Sequence, residues 1–266
     1  MNVTDLSQVR TTVPQKLNLR VPQPGQVTNP FARLSLDGLL NQNPFLPEKT
    51  AILGVCDDGL PVLLDFTDPK PGSILVSGTH LDGPRQVLQL ALSSALLRTF
   101  SFDMDVLVVS QDPSVWQSTL RINGNHHLEV MPIYDRLSGA AILHLSRLLE
   151  QRMNGRSQVE TSLLLIDDVH SVGQLDLDVQ INLQWLIDQG PQYGIWSLGG
   201  MSANRMEEFD SFVSSFRTRI LGQIDEPDRS ARLANVRSMD TSKYHPTQQY
   251  CVQVNQNWMK FWLPGR

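Results

Sequence analysis

The stretch ILVSGTHLDGPRQVLQLALSSALL, residues 74–97, constrains the fold more than any other part of the chain. An apolar run gives way to a segment bracketed by Gly78 and Gly83. A stretch follows with apolar side chains at Val87, Leu88, Leu90, Ala91 and Ala95, the spacing of a helix. A strand that passes through a glycine-bracketed loop into a helix is how phosphate-binding loops are built. Their glycines let consecutive backbone N–H groups turn inward at a helix N-terminus, a lysine neutralises the outer oxygens, and a Ser or Thr hydroxyl holds Mg²⁺. The pattern is G-x-x-x-x-G-K-[ST]. Here Pro84 stands at the lysine position and Arg85 at the Ser/Thr position. The glycine pair alone is weak evidence: with 17 glycines in 266 residues, about one such pair is expected by chance.

The surroundings strengthen it. From Ala51 onward, apolar runs alternate with amphipathic stretches, the order of a mostly parallel sheet with crossover helices. AILGVCDDG and LPVLLDF form a hairpin around Asp57-Asp58-Gly59, where an Asp-Gly pair supplies the positive φ of a tight turn. SILVSG, MDVLVVS, HLEVMPIY, SLLLIDD, GIWSLGG and TRILGQI read as strands. SGAAILHLSRLLEQRMNG reads as a helix closed by Gly155, a second helix covers 178–189, and a third opens at DEPDRSARLAN. QYCVQVNQNWMKFWL is a final hairpin, with Trp258, Phe261 and Trp262 on a half-buried edge or an interaction patch. This regular alternation assigns 48–266 to one α/β domain. Residues 1–47, rich in Pro, Gln and Asn, read as an extended arm or linker with one helical turn at 34–40, wrapping a neighbouring surface or partly disordered.

The strand SLLLIDD ends in Asp167 and Asp168. In nucleotide hydrolases such a strand end carries an aspartate that holds Mg²⁺ through water, followed by an acid that orients the attacking water. The alternative is two aspartates that end a buried strand and face solvent.

The element order and these motifs together resemble the FtsK/SpoIIIE and HerA branch of RecA-like P-loop ATPases. LGVCDDGLPVLLDF is similar to that family's opening hairpin, ILVSGTHLDGPR to its GTTGSGKS loop, and LEVMPIYDRLSGAAILHLSRLLEQRM to the strand and helix that end in an EMERR-type motif. LLLIDDVHSV resembles its acidic strand, QYGIWSLGGMS the strand ending in ATQRP, and FRTRILGQIDEPDRSARL its FPTRI…DSRxIL segment. The resemblance spans nearly all of residues 50–266. It implies a P-loop NTPase fold with flanking β-hairpins, nucleotide contacts at Gly78, Thr79, Gly83 and Arg85, catalytic acids at Asp167 and Asp168, and Arg217 and Arg219 at a subunit interface. It also implies a homo-oligomeric ring or a mixed assembly with an active ATPase.

The departures fall on the chemistry. The lysine has become Pro84, the Ser/Thr has become Arg85, the catalytic glutamate has become Asp168, and the later strand's polar sensor is Met201-Ser202. Asp82, just ahead of the expected helix start, is placed to accept that helix's free N–H groups. Arg85 is expected to point outward. The expectation is therefore a catalytically degenerate domain, structural or regulatory in a translocation or secretion-type assembly, with no cofactor. The alternative is an active DNA or protein translocase that binds ATP and Mg²⁺ through an unusual loop.

Other chemistries have little foothold. Cys56 and Cys251 lie far apart without a Cys/His pattern, so both read as small apolar residues in a reducing compartment. His126 and His127 read as a surface pair, and His170 as a polar residue capping a strand end. The net charge of −5, with no basic block, disfavours nucleic acid as a partner. MNVTDLSQVR has no cationic segment leading into an apolar run, and nothing approaches the roughly 18 apolar residues that span a bilayer, so the expectation is a cytoplasmic chain without membrane insertion.

Overall fold

The computed structural model describes residues 28–98, 104–120, 127–155, 160–208, 210–254 and 257–265. Its strands are β1 (Thr50–Cys56), β2 (Pro61–Asp65), β3 (Ile74–Gly78), β4 (Met104–Ser110), β5 (His127–Pro132), β6 (Thr161–Ile166), β7 (Ile195–Ser202), β8 (Thr218–Leu221), β9 (Gln249–Val254) and β10 (Asn257–Trp262). Its helices are α1 (Leu36–Gln42), α2 (Asp82–Arg98), α3 (Gln117–Leu120), α4 (Arg136–Met153), α5 (Leu177–Gln189), α6 (Asp210–Ser215) and α7 (Pro227–Ala234).

All ten strands form one sheet in the order β2-β1-β10-β9-β8-β3-β7-β6-β4-β5. From β8 to β5 every pairing is parallel, and the remaining strands add antiparallel. Strands covered on both faces must be apolar throughout rather than alternating. β6 shows this: Leu163 and Leu165 join the core under α2, with Val87, Leu88, Ala91 and Leu92, while Leu164 and Ile166 join the core under α4 and α5, with Ile142, Leu183 and Leu186. The sheet is thus sandwiched between helices on both faces, a RecA-like α/β fold.

The hairpin β1–β2 turns at Gly59, with φ +86°. A third, smaller cluster joins Phe31 and Leu39 to Ile52, Val55 and Trp262. Asn29 Nδ2 donates to Leu263 O at 2.8 Å and Gly265 N donates to Phe31 O at 3.1 Å. Residues 28–47 therefore lie on the chain's own domain, and α1 sits slightly later than the helical turn read from sequence. The rest of the arm lies outside the described residues, as does His126. Phe261 and Trp262 are buried, which makes the last strand a packed element rather than an exposed patch. Cys251 is buried, and burial pushes both thiols up to about 11. No helix among the described residues is long and apolar enough to cross a membrane.

Phe31→Ala should remove the largest side chain that residues 28–47 insert beneath β1 and β10. The expected loss is about 3 kcal/mol, seen as a lower thermal midpoint. An unchanged midpoint would show that these residues do not dock.

Candidate functional site at the strand ends

The C-terminal ends of β3, β6, β7 and β8 lie side by side because those strands run parallel in adjacent positions. Ligands in open α/β sheets bind in crevices outside such ends. The site is built from what each strand delivers there.

β3 delivers the glycine-bracketed connection. It is short: only Thr79, His80 and Leu81 separate Gly78 from the first residue of α2. The helix opens earlier than its glycine and proline suggest, with Arg85 N donating to Leu81 O at 3.0 Å. Gly83 and Pro84 thus sit inside the first turn, where a missing N–H sacrifices no intrahelical bond. Thr79 is turned toward the protein. Its N–H donates to Gln223 O at 2.8 Å and its hydroxyl to the same carbonyl at 3.1 Å. Ser202 Oγ, at the end of β7, donates to Thr79 O at 2.9 Å.

The two glycines have different reasons to be there. At Gly78 a Cβ would meet only ordinary contacts, the nearest being Pro84 Cδ at 3.4 Å. At Gly83 it would lie 2.7 Å from the Tyr250 hydroxyl. Gly83 answers to a ring on β9, a contact invisible in the local sequence. Tyr250 is almost fully buried, and burial drives its phenol upward.

β6 delivers the acids. Asp167 is completely buried, so the reading of two solvent-facing aspartates does not hold. Its Oδ2 accepts from Ser110 Oγ at 2.5 Å and from Trp116 Nε1 at 3.3 Å, and lies 3.4 Å from Arg85 Nε. Its Oδ1 is buried without a hydrogen-bond partner. Burial raises the Asp167 pKa, opposed by Ser110, the Arg85 charge, Trp116 and the nearby N–H of Gln111. Asp168 caps the short 3₁₀ turn Val169–Gln174. Its Oδ1 accepts from His170 N at 3.1 Å and faces His170 Nδ1 at 3.1 Å, and its Oδ2 lies 3.9 Å from Arg205 Nη1. His170 Nε2 stands 2.7 Å from Arg205 O. His170 is thus a buried bridge between Asp168 and the segment after β7.

Arg85 differs from its outward expectation. Its side chain is 17% exposed and spans two carboxylates, with Nη1 3.5 Å from Asp82 Oδ1 and Nε facing Asp167. Asp82 accordingly serves Arg85 at the surface, and no cap bond from it to a helix N–H is formed among the described residues.

Gly78, Thr79, Gly83, Arg85, Asp167 and Asp168 all lie around these strand ends. Arg217 and Arg219 do not: Arg217 precedes β8, beside the residues that lead into β3, and Arg219 lies within β8, opposite Leu75 of β3. Arg217 Nη1 donates to Lys70 O at 3.2 Å, and Arg219 Nη1 donates to Leu233 O at 2.7 Å, closing the last turn of α7. Together they line a cleft of about 290 Å³ with Asn235 and Trp258. Sequence reading passed over Ser110, Trp116 and Gln223. The first ends an apolar run in MDVLVVS and was discoverable as a polar residue at a strand terminus; the other two carry no local signal.

The strand order β8-β3-β7-β6-β4, with β7 between the loop-bearing strand and the acid-bearing strand, defines the RecA-like class of P-loop ATPase folds. Solved structures agree. The cytoplasmic domain of EssC superposes with a TM-score of 0.65 at 15% identity, covering 92% of this chain and 49% of that one. A protein described as an ATPase gives 0.66 at 13% identity, covering 93% and 97%. The cytoplasmic domain of the type VII secretion ATPase EccC of Thermomonospora curvata gives 0.58 at 13%, covering 84% and 27%. This chain thus spans about half of the EssC structure and about a quarter of the EccC one. No protein-family model and no curated protein matches the sequence.

Gly83→Ala should lower stability by about 1–3 kcal/mol through overpacking against Tyr250, despite alanine's better helix propensity. Tyr250→Phe in the same chain should recover most of that loss in a denaturant titration; no recovery would mean the hydroxyl is not the obstacle.

Proposed function

We propose that this chain is a catalytically degenerate FtsK/HerA-like ATPase domain, a structural or regulatory subunit of a translocation or secretion-type assembly. The observation that carries the reading is Thr79: both of its donors are spent on the carbonyl of Gln223 rather than left facing a phosphate. Pro84 supports it by contributing neither an ammonium nor an N–H to a cradle. A missing charge-assisted lysine contact removes roughly 1.5–3 kcal/mol, about ten- to more than a hundredfold in affinity. The connection of three residues leaves little backbone to wrap a phosphate, and the acid that would approach Mg²⁺ faces a guanidinium instead. The residues present do not fit a Mg²⁺-nucleotide.

A domain that does not turn over nucleotide contributes surfaces. The similar structures include secretion ATPases and the cytoplasmic domain of EssC, which supports placing this domain in such an assembly, either as a ring of identical copies or beside a competent ATPase. In a mixed assembly, Arg217 and Arg219 lie around the start of β8, away from Asp167, where they would meet a neighbour. The second reading, an active translocase, requires Thr79 to release Gln223 and Arg85 to turn from Asp167 onto a phosphate.

Calorimetric titration of the purified protein with ATP and a non-hydrolysable analogue, with and without Mg²⁺, should give no heat of binding up to millimolar nucleotide. Micromolar, Mg²⁺-dependent binding would replace this reading with the active one.

A further inference from the structure

We infer that Arg85 is a built-in counter-cation, a guanidinium standing against Asp167 in place of a divalent metal, so that the strand ends are bridged by the protein itself and keep one arrangement with or without nucleotide. The inference rests on the degenerate reading of the loop and specifies how the site is held without a ligand.

At 0% exposure the Asp167 carboxylate is costly unless charge and hydrogen bonds compensate it. Ser110 Oγ and Trp116 Nε1 both donate to Oδ2, and Arg85 Nε faces the same oxygen. Oδ1 has no hydrogen-bond partner, and Arg85 Nε is likewise buried without one, so Arg85 and Asp167 are held together by charge rather than by a formed hydrogen bond. Arg85 is the only cation among the described residues within ion-pair distance of Asp167. It reaches inward from the first turn of α2, the turn on which a phosphate-binding loop carries the hydroxyl that meets the metal. Its outer end is steadied by Asp82, which is 79% exposed, so the side chain runs from the surface to the buried acid like a plug.

The same connection is tethered twice more. Thr79 is bonded to Gln223, just beyond β8, and Ser202 at the end of β7 is bonded to Thr79. With Arg85 on Asp167, the connection and the first turn of α2 are tied to the ends of β6, β7 and β8. In a nucleotide-driven domain those are the places a bound ligand joins. Here side chains join them permanently, which suits a subunit whose partner surfaces must not vary.

The test is a double-mutant cycle on the full chain, read as thermal midpoints for wild type, Arg85→Met, Asp167→Asn and the pair. Methionine keeps an apolar stem while removing the charge. Each single change should lower the midpoint by about 6–20 °C, and the double by clearly less than the sum. Additive losses, or an Arg85→Met midpoint within about 2 °C of wild type, would overturn the inference. Arg85→Lys restores charge and carries the test should a neutral variant fail to fold. Its midpoint should lie within about 5 °C of wild type, and a lysine variant that also fails to fold, or falls further, overturns it. The same scans run with millimolar Mg²⁺-ATP separate the two ideas. A nucleotide-dependent rise in wild type with coupling intact rejects the degenerate reading and leaves the counter-cation; no rise with additive losses does the reverse.

Discussion

A carboxylate sealed from water must be neutralised where it stands, and much of this domain's working end is arranged around that requirement at Asp167. The last residue of β4 supplies a hydroxyl, the 3₁₀ turn after it supplies an indole N–H, and the first turn of α2 supplies a guanidinium. Two hydrogen-bond donors, from β4 and the turn just after it, and one charge from α2 together fix how α2 and β4 meet the end of β6. Because β6 is apolar on both faces, its hydrophobic pattern alone does not fix the register, and a slip is penalised by the loss of the pairing at Asp167. The acid is thus a consequence of the sheet and also a constraint on it.

Much of the fold was legible because of how parallel sheets are covered. Strands such as LLLI in β6 are buried on both sides and appear as unbroken apolar runs, while crossover helices carry the helical period. The Asp-Gly turn between β1 and β2 was readable from backbone chemistry alone. The placement of β10 between β1 and β9 was not, since β1 and β10 are separated by most of the chain and nothing local encodes their pairing.

The site was legible in outline and misread in detail, for a physical reason. Glycine and proline mark loops when they lie in the middle of an element, but the first helical turn has N–H groups with no intrahelical partner and tolerates both. The sequence therefore suggested a long loop where α2 had already begun. That earlier start also sets which way Arg85 points, turning it inward. Gly83 looked like half of a phosphate motif and is instead the clearance for Tyr250. Asp167, in contrast, was found from its position at the end of an apolar strand, because burial of β6 and polarity at its tip are both written in consecutive residues.

The contact between residues 29–31 and 263–265 carries a mechanical consequence. Asn29 holds Leu263, Gly265 holds Phe31, and a Cβ on Gly265 would fall 2.0 Å from Ala32 O, so the two segments lie in direct apposition. Tension applied between them is borne first by this clasp. While it holds, the pull is transmitted across a few ångströms of side-by-side backbone, and the ten-stranded sheet stays out of the load path.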